Sequence, residues 1–264
     1  MGLTPFVIAG SLITGAMRTA GASVLLIFAG AALLILFAGA WILIRAEGAQ
    51  KSSHTSAPRT GRGLSLLWPF VVVGLIGALG FATENAHQSW SAIFLEDELG
   101  ASAWLAALAP ATFAAAAAIT RFAVGTTRLP DGHLLIGGAI TASIGTLILA
   151  SAQGIAIALI GLAVAAVGTS VLFPTLLSRS LRDVPDRYRG RATSTVGTIA
   201  YLGFVLGPVY VGVLAGAFGL RGAMIGVAAL AAVFAVLARV PSRRAGLGKA
   251  TRGRNKAGGR STPR

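Results

Sequence analysis

Long stretches of this sequence contain no charged side chain, and this feature constrains the fold more than any other. Residues 1–17 and 19–44 are uncharged, and the uncharged run from Leu134 to Ser178 would be about 67 Å long as a helix. A helix needs about 20 apolar residues to cross the roughly 30 Å hydrocarbon core of a bilayer. Charged residues make up 11% of the chain, whereas soluble domains carry about 25%. The sequence therefore predicts an all-α, polytopic membrane protein.

The apolar runs predict eight transmembrane helices. The segment 151–154 (SAQG) divides the longest run, because glycine and small polar residues favour a turn. The predicted helices lie at 1–17, 19–44, 64–83, 101–120, 134–150, 155–178, 192–220 and 222–238. A polar, flexible segment follows the second helix, and a basic segment without acids follows the last. The predicted domains are two helices at 1–44, a cytoplasmic linker at 45–65, a six-helix block at 66–240 and a basic disordered tail at 241–264.

The positive charges divide unequally between the two sides of the predicted bundle. Of the 22 Lys and Arg residues, all but Arg18 and Arg221 fall in one set of alternate connections or in the tail. Cytoplasmic connections carry the excess of Lys and Arg, so both termini are predicted to be cytoplasmic in a multi-pass protein of the cell inner membrane. A basic tail can bind nucleic acid, but we favour contact with an anionic lipid surface and predict no nucleic-acid partner.

Several kinds of chemistry are excluded or disfavoured. The chain has no Cys, and its three His residues are far apart without the spacing of a zinc protease. We therefore predict no metal site and no cofactor. The segment 168–170 (GTS) has no His partner within reach, so an intramembrane enzyme is disfavoured, and we predict no catalytic residue.

Glu84 is the only acid interior to a predicted apolar segment. At helical spacing it shares a face with His87 and Gln88, while Trp90 turns elsewhere. A carboxylate, an imidazole and an amide on one stripe suit a water-filled cavity, where they can bind a hydroxylated solute or exchange a proton. The alternative is that Glu84 lies close enough to the outer surface to be solvated, with Trp90 at the membrane interface.

Glycines and prolines within the runs predict close packing and bending of helices. Gly203 and Gly207 are four residues apart, a spacing that lets helices approach closely. Pro174 and Pro208 each remove a backbone hydrogen bond and are expected to bend their helices. Both features are common in transporters and also occur in static bundles.

Several segments, in order, resemble the C-terminal part of major facilitator superfamily transporters, in the bacterial branch near the sugar- and fucose-permease-like inner-membrane proteins. They are ENAHQSWSAIFLEDELGAS at 84–102, GTSVLFP at 168–174, the RGRATS approach at 189–194, YLGFVLGP at 201–208 and GLRGA at 219–223. The resemblance covers about residues 64–240, and 1–44 fits the fifth and sixth helices by position. The segment 121–128 (RFAVGTTR) departs from the family, because it lacks the acid usual in that loop.

The resemblance implies a partial major facilitator fold, with helices corresponding to 5–12 of 12. It implies a secondary transporter of a small polar solute, with a sugar as a candidate solute and a proton as a candidate coupling ion. Glu84, His87 and Gln88 would bind solute or proton, Trp90 would shape the outer cavity, and Tyr201 is a further cavity candidate. Expected partners are the lipid bilayer, the solute, and a second copy or a missing N-terminal half. The alternative is a non-transporting eight-helix subunit that packs against a partner.

Overall fold

The structure, a computed structural model, describes residues 64–125 and 129–239. All regular elements in these ranges are α-helices: α1 (Leu64–Leu99), α2 (Ala103–Gly125), α3 (Asp131–Ser151), α4 (Ile155–Thr169), α5 (Leu172–Leu181) and α6 (Asp186–Leu237). The all-helical prediction is therefore confirmed for the described residues. The helices predicted at 1–44, the linker up to residue 63 and the tail at 241–264 lie outside them.

Helix α1 is 36 residues long and continues well beyond the end predicted at residue 83. The prediction ended the helix at Glu84 because a charge was taken to mark the membrane surface. A paired polar side chain leaves the backbone hydrogen bonds of a helix intact, so the helix runs on to Leu99. It ends where Gly100 adopts φ 65°, and the N–H groups of Gly100 and Ala101 donate to the carbonyls of Glu96 and Leu95.

The turn predicted at 151–154 agrees with the structure, because α3 ends at Ser151 and α4 begins at Ile155. Helices α4 and α5 together form one apolar span, Ile155–Leu181, which is interrupted at residues 170–171. Helix α6 has 52 residues, about 78 Å at 1.5 Å per residue, which is too long for a single crossing. Gly219 breaks it with φ 73° and ψ 171°, a backbone conformation open to glycine.

Five helical spans in the described residues are long and apolar enough to cross a membrane, and the break at Gly219 divides the last into two. The boundary predicted at Arg221 is thus two residues from the observed one. The prediction of eight helices includes two segments outside the described ranges, so the full count stays a prediction. The chain is a multi-pass membrane protein.

Small residues bring the helices of the bundle close together. Helix α3 packs against α4, and α1 packs against α6 and α2. A Cβ atom on Gly161 of α4 would lie 2.6 Å from the backbone nitrogen of Leu149 on α3, closer than atoms can approach. Buried alanines make up much of the remaining core, for example Ala158, Ala165 and Ala166 on α4. Close backbone contact of this kind supplies dispersion energy where the hydrophobic effect between helices is weak.

Arg221 joins three elements at one end of the bundle. Its Nε donates to Glu98 near the end of α1 at 2.9 Å, and its Nη1 donates to the carbonyls of Ala150 and Ala152 at 2.9 and 2.8 Å. The end of α1, the turn between α3 and α4, and the break in α6 are therefore at the same end. The distribution of Lys and Arg in the sequence predicts the same set of connections at one end.

A second ion pair lies at the other end of the bundle. Arg182, which follows α5, contacts Asp131 at the start of α3 with a separation of 2.6 Å. Asp131 comes three residues after the 121–128 segment. That segment lacks the acid usual in the resembled family, but Asp131 places an acid close to it. The two ion pairs show which connections lie at the same end of the bundle. Which end faces the cytoplasm stays a prediction.

Candidate functional site

Glu84, which is buried in the bundle, forms an ion pair with the partly exposed Arg121. Nη2 of Arg121 on α2 lies 2.8 Å from Oε1 of Glu84 on α1, with side-chain exposures of 38% and 12%. Gln88 donates to the same carboxylate oxygen at 3.4 Å, one helical turn further along α1. The site therefore presents a carboxylate, a guanidinium and an amide together.

The carboxylate of the pair is deep within the membrane-spanning part of the chain. Glu84 lies 15 residues before Leu99, the end of α1, about 22 Å along the helix. A solvated outer position, the alternative considered from the sequence, does not fit this depth or the low exposure. Charged residues within a membrane are costly unless they pair, and they commonly mark solute or proton pathways.

The sequence alone assigned Arg121 to a loop, whereas the structure places it inside α2, which continues to Gly125. Long side chains on helices point toward the N-terminal end of their own helix. This direction carries the guanidinium of Arg121 away from the end of α2 and toward Glu84. Arg121 is therefore a site residue that sequence reasoning missed.

Arg121 also contacts the interruption between α4 and α5. Its Nε donates to the carbonyl of Ser170 at 3.3 Å. In a continuous helix this carbonyl would accept the N–H of residue 174, which is Pro174 and has none. One guanidinium thus joins the carboxylate of α1 to a carbonyl that lacks its usual helical donor.

His87 is buried and turned away from Glu84. Its Nδ1 lies 2.7 Å from the carbonyl of Thr83, its Nε2 lies 2.9 Å from Oγ1 of Thr146 on α3, and its ring stacks on Phe113 of α2 at 5.3 Å. Because a carbonyl only accepts, Nδ1 carries a proton and donates. Both ring nitrogens are thus engaged within the bundle, so in this conformation His87 joins three helices and is not open to a solute.

Two further side chains of α1 contact α6 around Pro208. The indole N–H of Trp90 donates to the carbonyl of Pro208 at 3.2 Å. The side-chain amide of Asn85 donates to the carbonyl of Phe204, which is four residues before Pro208 and lacks its helical donor for the same reason as Ser170. Trp90 is thus held against α6, and its role in shaping the outer cavity stays a prediction.

Gly203 and Gly207 lie where α6 meets α1. A Cβ atom on Gly203 would overlap the carbonyl of Ala78, and one on Gly207 would lie 2.8 Å from the carbonyl oxygen of Ala82. Both positions therefore need the absence of a side chain. Pro208 follows directly after this contact, and Pro174 lies three residues after the interruption at 170–171.

Tyr201 lies on the exposed side of α6, with 59% of its surface accessible. Its ring is 5.2 Å from that of Phe81 on α1 and 6.3 Å from that of Phe204. Phe173, at the start of α5, stacks on Phe81 at 4.3 Å. Tyr201 thus belongs to an aromatic cluster one helical turn before Glu84, and its solute-binding role stays a prediction.

Of the five predicted binding residues, the structure joins Glu84 and Gln88 and places His87, Trp90 and Tyr201 in other contacts. Ser91, on the same face of α1 two turns after Glu84, has a buried hydroxyl without a hydrogen-bond partner among the described residues. Within residues 64–125 and 129–239 no group of His, Asp and Glu has the arrangement of a metal site. The arrangement around Glu84 can bind polar groups and can carry a proton on its carboxylate.

A bundle of membrane-spanning helices with broken spans and an ion pair at depth is typical of membrane transport proteins. The family model of the Major Facilitator Superfamily matches residues 126–261, just over half of the chain. The chain belongs to the Major Facilitator Superfamily. The branch near sugar and fucose permeases stays an expectation.

Two curated relatives agree with this assignment. An uncharacterized transporter of Sinorhizobium fredii, y4wD, is 31% identical over 173 residues, which are 64% of this chain and 45% of the relative. An uncharacterized MFS-type transporter of Yersinia pestis is 29% identical over 177 residues, 65% of this chain and 45% of the relative. The chain thus spans about half the length of the curated relatives it matches.

Solved structures show the same fold. A crystal structure of the peptide transporter POT in complex with sulfate superposes with a TM-score of 0.57 at 18% identity, and it covers 76% of this chain and 45% of that one. A second structure of that transporter, a mutant, has the same TM-score and covers 78% of this chain. At this identity the likeness concerns the fold alone.

Proposed function

We propose that the chain forms part of a secondary transporter that moves a small polar solute by alternating access. The observation that carries this proposal is the ion pair between Glu84 and Arg121 at the depth of the membrane-spanning helices. Burying an ion pair there costs desolvation energy, which packing alone does not require. The pair therefore favours a functional role. Gln88 on the same carboxylate and the unpartnered hydroxyl of Ser91 extend the polar stripe along α1.

The proposed solute is a sugar or a similar polyhydroxylated compound. Hydroxyl groups both donate and accept hydrogen bonds, and the carboxylate of Glu84 accepts while the guanidinium of Arg121 and the amide of Gln88 donate. The exposed ring of Tyr201, beside Phe81, offers an apolar face that a sugar ring could pack against. Proton coupling through Glu84 completes the proposal. A carboxylate that takes up and releases one proton per cycle can couple the proton gradient to the solute gradient.

Alternating access moves one six-helix half against the other around a site between them. The proposal assigns residues 66–240 to one such half, with the other half supplied by a second copy of the chain or by a separate N-terminal half. The proposed location is the cell inner membrane with both termini in the cytoplasm, as the charge tally favours.

The test combines this chain with a fragment that carries the four N-terminal helices of the Sinorhizobium relative. Uptake of labelled sugars into cells is measured for the pair, for each part alone, and for the pair with Glu84→Gln. We expect saturable accumulation by the pair. Accumulation by this chain alone would mean that a second copy supplies the other half. Glu84→Gln should abolish accumulation against a gradient while exchange of labelled for unlabelled solute persists, because exchange needs no net proton movement.

The matched control is Asp97→Asn, which neutralises an exposed acid on the same helix and should leave accumulation unchanged. Persisting exchange also demonstrates that the Gln variant is folded. Accumulation at the parent level in Glu84→Gln would contradict proton coupling at this residue. Absence of uptake under every pairing would favour the alternative of a non-transporting subunit.

A further inference from the structure

Two proline-containing helices of this bundle are completed by side chains from their neighbours. Pro174 leaves the carbonyl of Ser170 without a helical donor, and Pro208 does the same to the carbonyl of Phe204. Each carbonyl accepts a side-chain donor instead: Nε of Arg121 reaches Ser170, and the amide of Asn85 reaches Phe204. The two donors differ in charge, and Pro174 lies in the first turn of α5 whereas Pro208 lies inside α6.

The charged member is also bound to the carboxylate. Arg121 holds Glu84 through Nη2 at 2.8 Å and Ser170 through Nε at 3.3 Å, so its guanidinium cannot shift toward one without moving relative to the other. A planar guanidinium presents its donors in a fixed fork, which transmits such a displacement. Asn85 has no comparable link, because its side-chain oxygen accepts a hydrogen bond from the hydroxyl of Ser89 on its own helix.

We infer that Arg121 is a positioning residue, which occupies the carbonyl that Pro174 leaves free and thereby makes the geometry of the α4–α5 interruption depend on the carboxylate of Glu84. This inference builds on the proposed function, because it concerns the same ion pair. When Glu84 loses its charge or binds another group, Arg121 loses one of its two anchors. The interruption at residues 170–171 is then less firmly held, and α5 can change its angle to α4.

The test measures a distance across the interruption, so it does not depend on transport. The chain has no Cys, which permits spin labels at Ile160→Cys on α4 and Ser178→Cys on α5, both at exposed positions. These sites are 18 residues apart, about 27 Å along a helix, within reach of pulsed dipolar spectroscopy on the full chain in lipid nanodiscs. The parent should give one narrow distance distribution.

The first variant is the double substitution Glu84→Gln with Arg121→Met, which removes the side-chain donor and leaves no unpaired buried charge. We expect the width of the distribution to grow roughly twofold, because an interruption without its side-chain donor bends more freely. Adding Pro174→Ala supplies an N–H for the Ser170 carbonyl and should restore the narrow distribution. Glu84→Gln alone should broaden it as well, since Arg121 then lacks its carboxylate partner.

The matched control is Asn85→Ala, which removes the equivalent donor at Pro208 and should leave the α4–α5 distance unchanged. A narrow distribution in the double variant would overturn the inference, and so would broadening that Pro174→Ala fails to reverse. Parent-like behaviour of Glu84→Gln would overturn the dependence on the carboxylate. If the distances change as expected while the uptake experiment fails, the proposed function is wrong and the positioning role of Arg121 stands.

Discussion

At the scale of single residues, the polar side chains of α1 divide between two tasks. Glu84 accepts hydrogen bonds from Arg121 on α2 and from Gln88, whereas His87 and Trp90 join α1 to α3 and α6. Residues three and four apart on a helix lie on nearby faces, so the spacing in the sequence did not separate these directions. Neighbouring helices decide which side chain meets a partner and which can meet a solute.

The buried position of His87 leads to a prediction about stability. His87→Ala should lower the free energy of unfolding by about 3 kcal/mol, because it removes a buried, stacked ring and leaves a cavity between three helices. Thermal unfolding of the purified chain in detergent measures the effect. His133→Ala, at an exposed position at the start of α3, is the control and should change little. Equal melting temperatures for the two variants would argue against a joining role for His87.

At the scale of helices, glycine matters where two backbones meet. Gly203 and Gly207 of α6 contact Ala78 and Ala82 of α1, whereas a Cβ atom on Gly216 would meet nothing within 4 Å. A glycine in a helix costs up to about 1 kcal/mol relative to alanine. In the described fold the close contact with α1 therefore requires a glycine at Gly203, whereas no such contact requires one at Gly216.

This contrast predicts opposite effects of one substitution at two positions of α6. Gly203→Ala should destabilise the bundle by roughly 2 kcal/mol, because the new methyl group forces α1 and α6 apart. Gly216→Ala should be neutral or slightly stabilising. Unfolding in detergent with increasing denaturant compares the two variants directly. Destabilisation of the same size at both positions would mean that the α1–α6 contact does not govern the effect.

At the scale of the whole molecule, two ion pairs order the ends of the bundle. Arg221 joins α1, the α3–α4 turn and α6 at one end, and Arg182 joins α5 to α3 at the other. These contacts agree with the grouping of connections that the distribution of Lys and Arg predicts. Since most positive residues lie on one side, that side should face the cytoplasm.

Orientation can be tested with single cysteines in this cysteine-free chain. An impermeant thiol reagent applied to whole cells should label Ser151→Cys and should leave Ser53→Cys and Ser261→Cys unlabelled. Permeabilised cells are the control, in which all three sites should react. Labelling of Ser53→Cys in intact cells would reverse the predicted orientation.

The sequence alone was sufficient for the helical class, the turn at 151–154 and the family, and it singled out Glu84 as an acid within an apolar segment. Hydrophobicity and charge act locally along the chain, so they can be read from it directly. The partners of Glu84 depend on which helices pack together. Arg121 is 37 residues away from Glu84 in sequence, and the carbonyl of Ser170 has no sequence signal other than Pro174. Only the tertiary structure brought the three together, because contacts between helices are set by packing across the whole bundle.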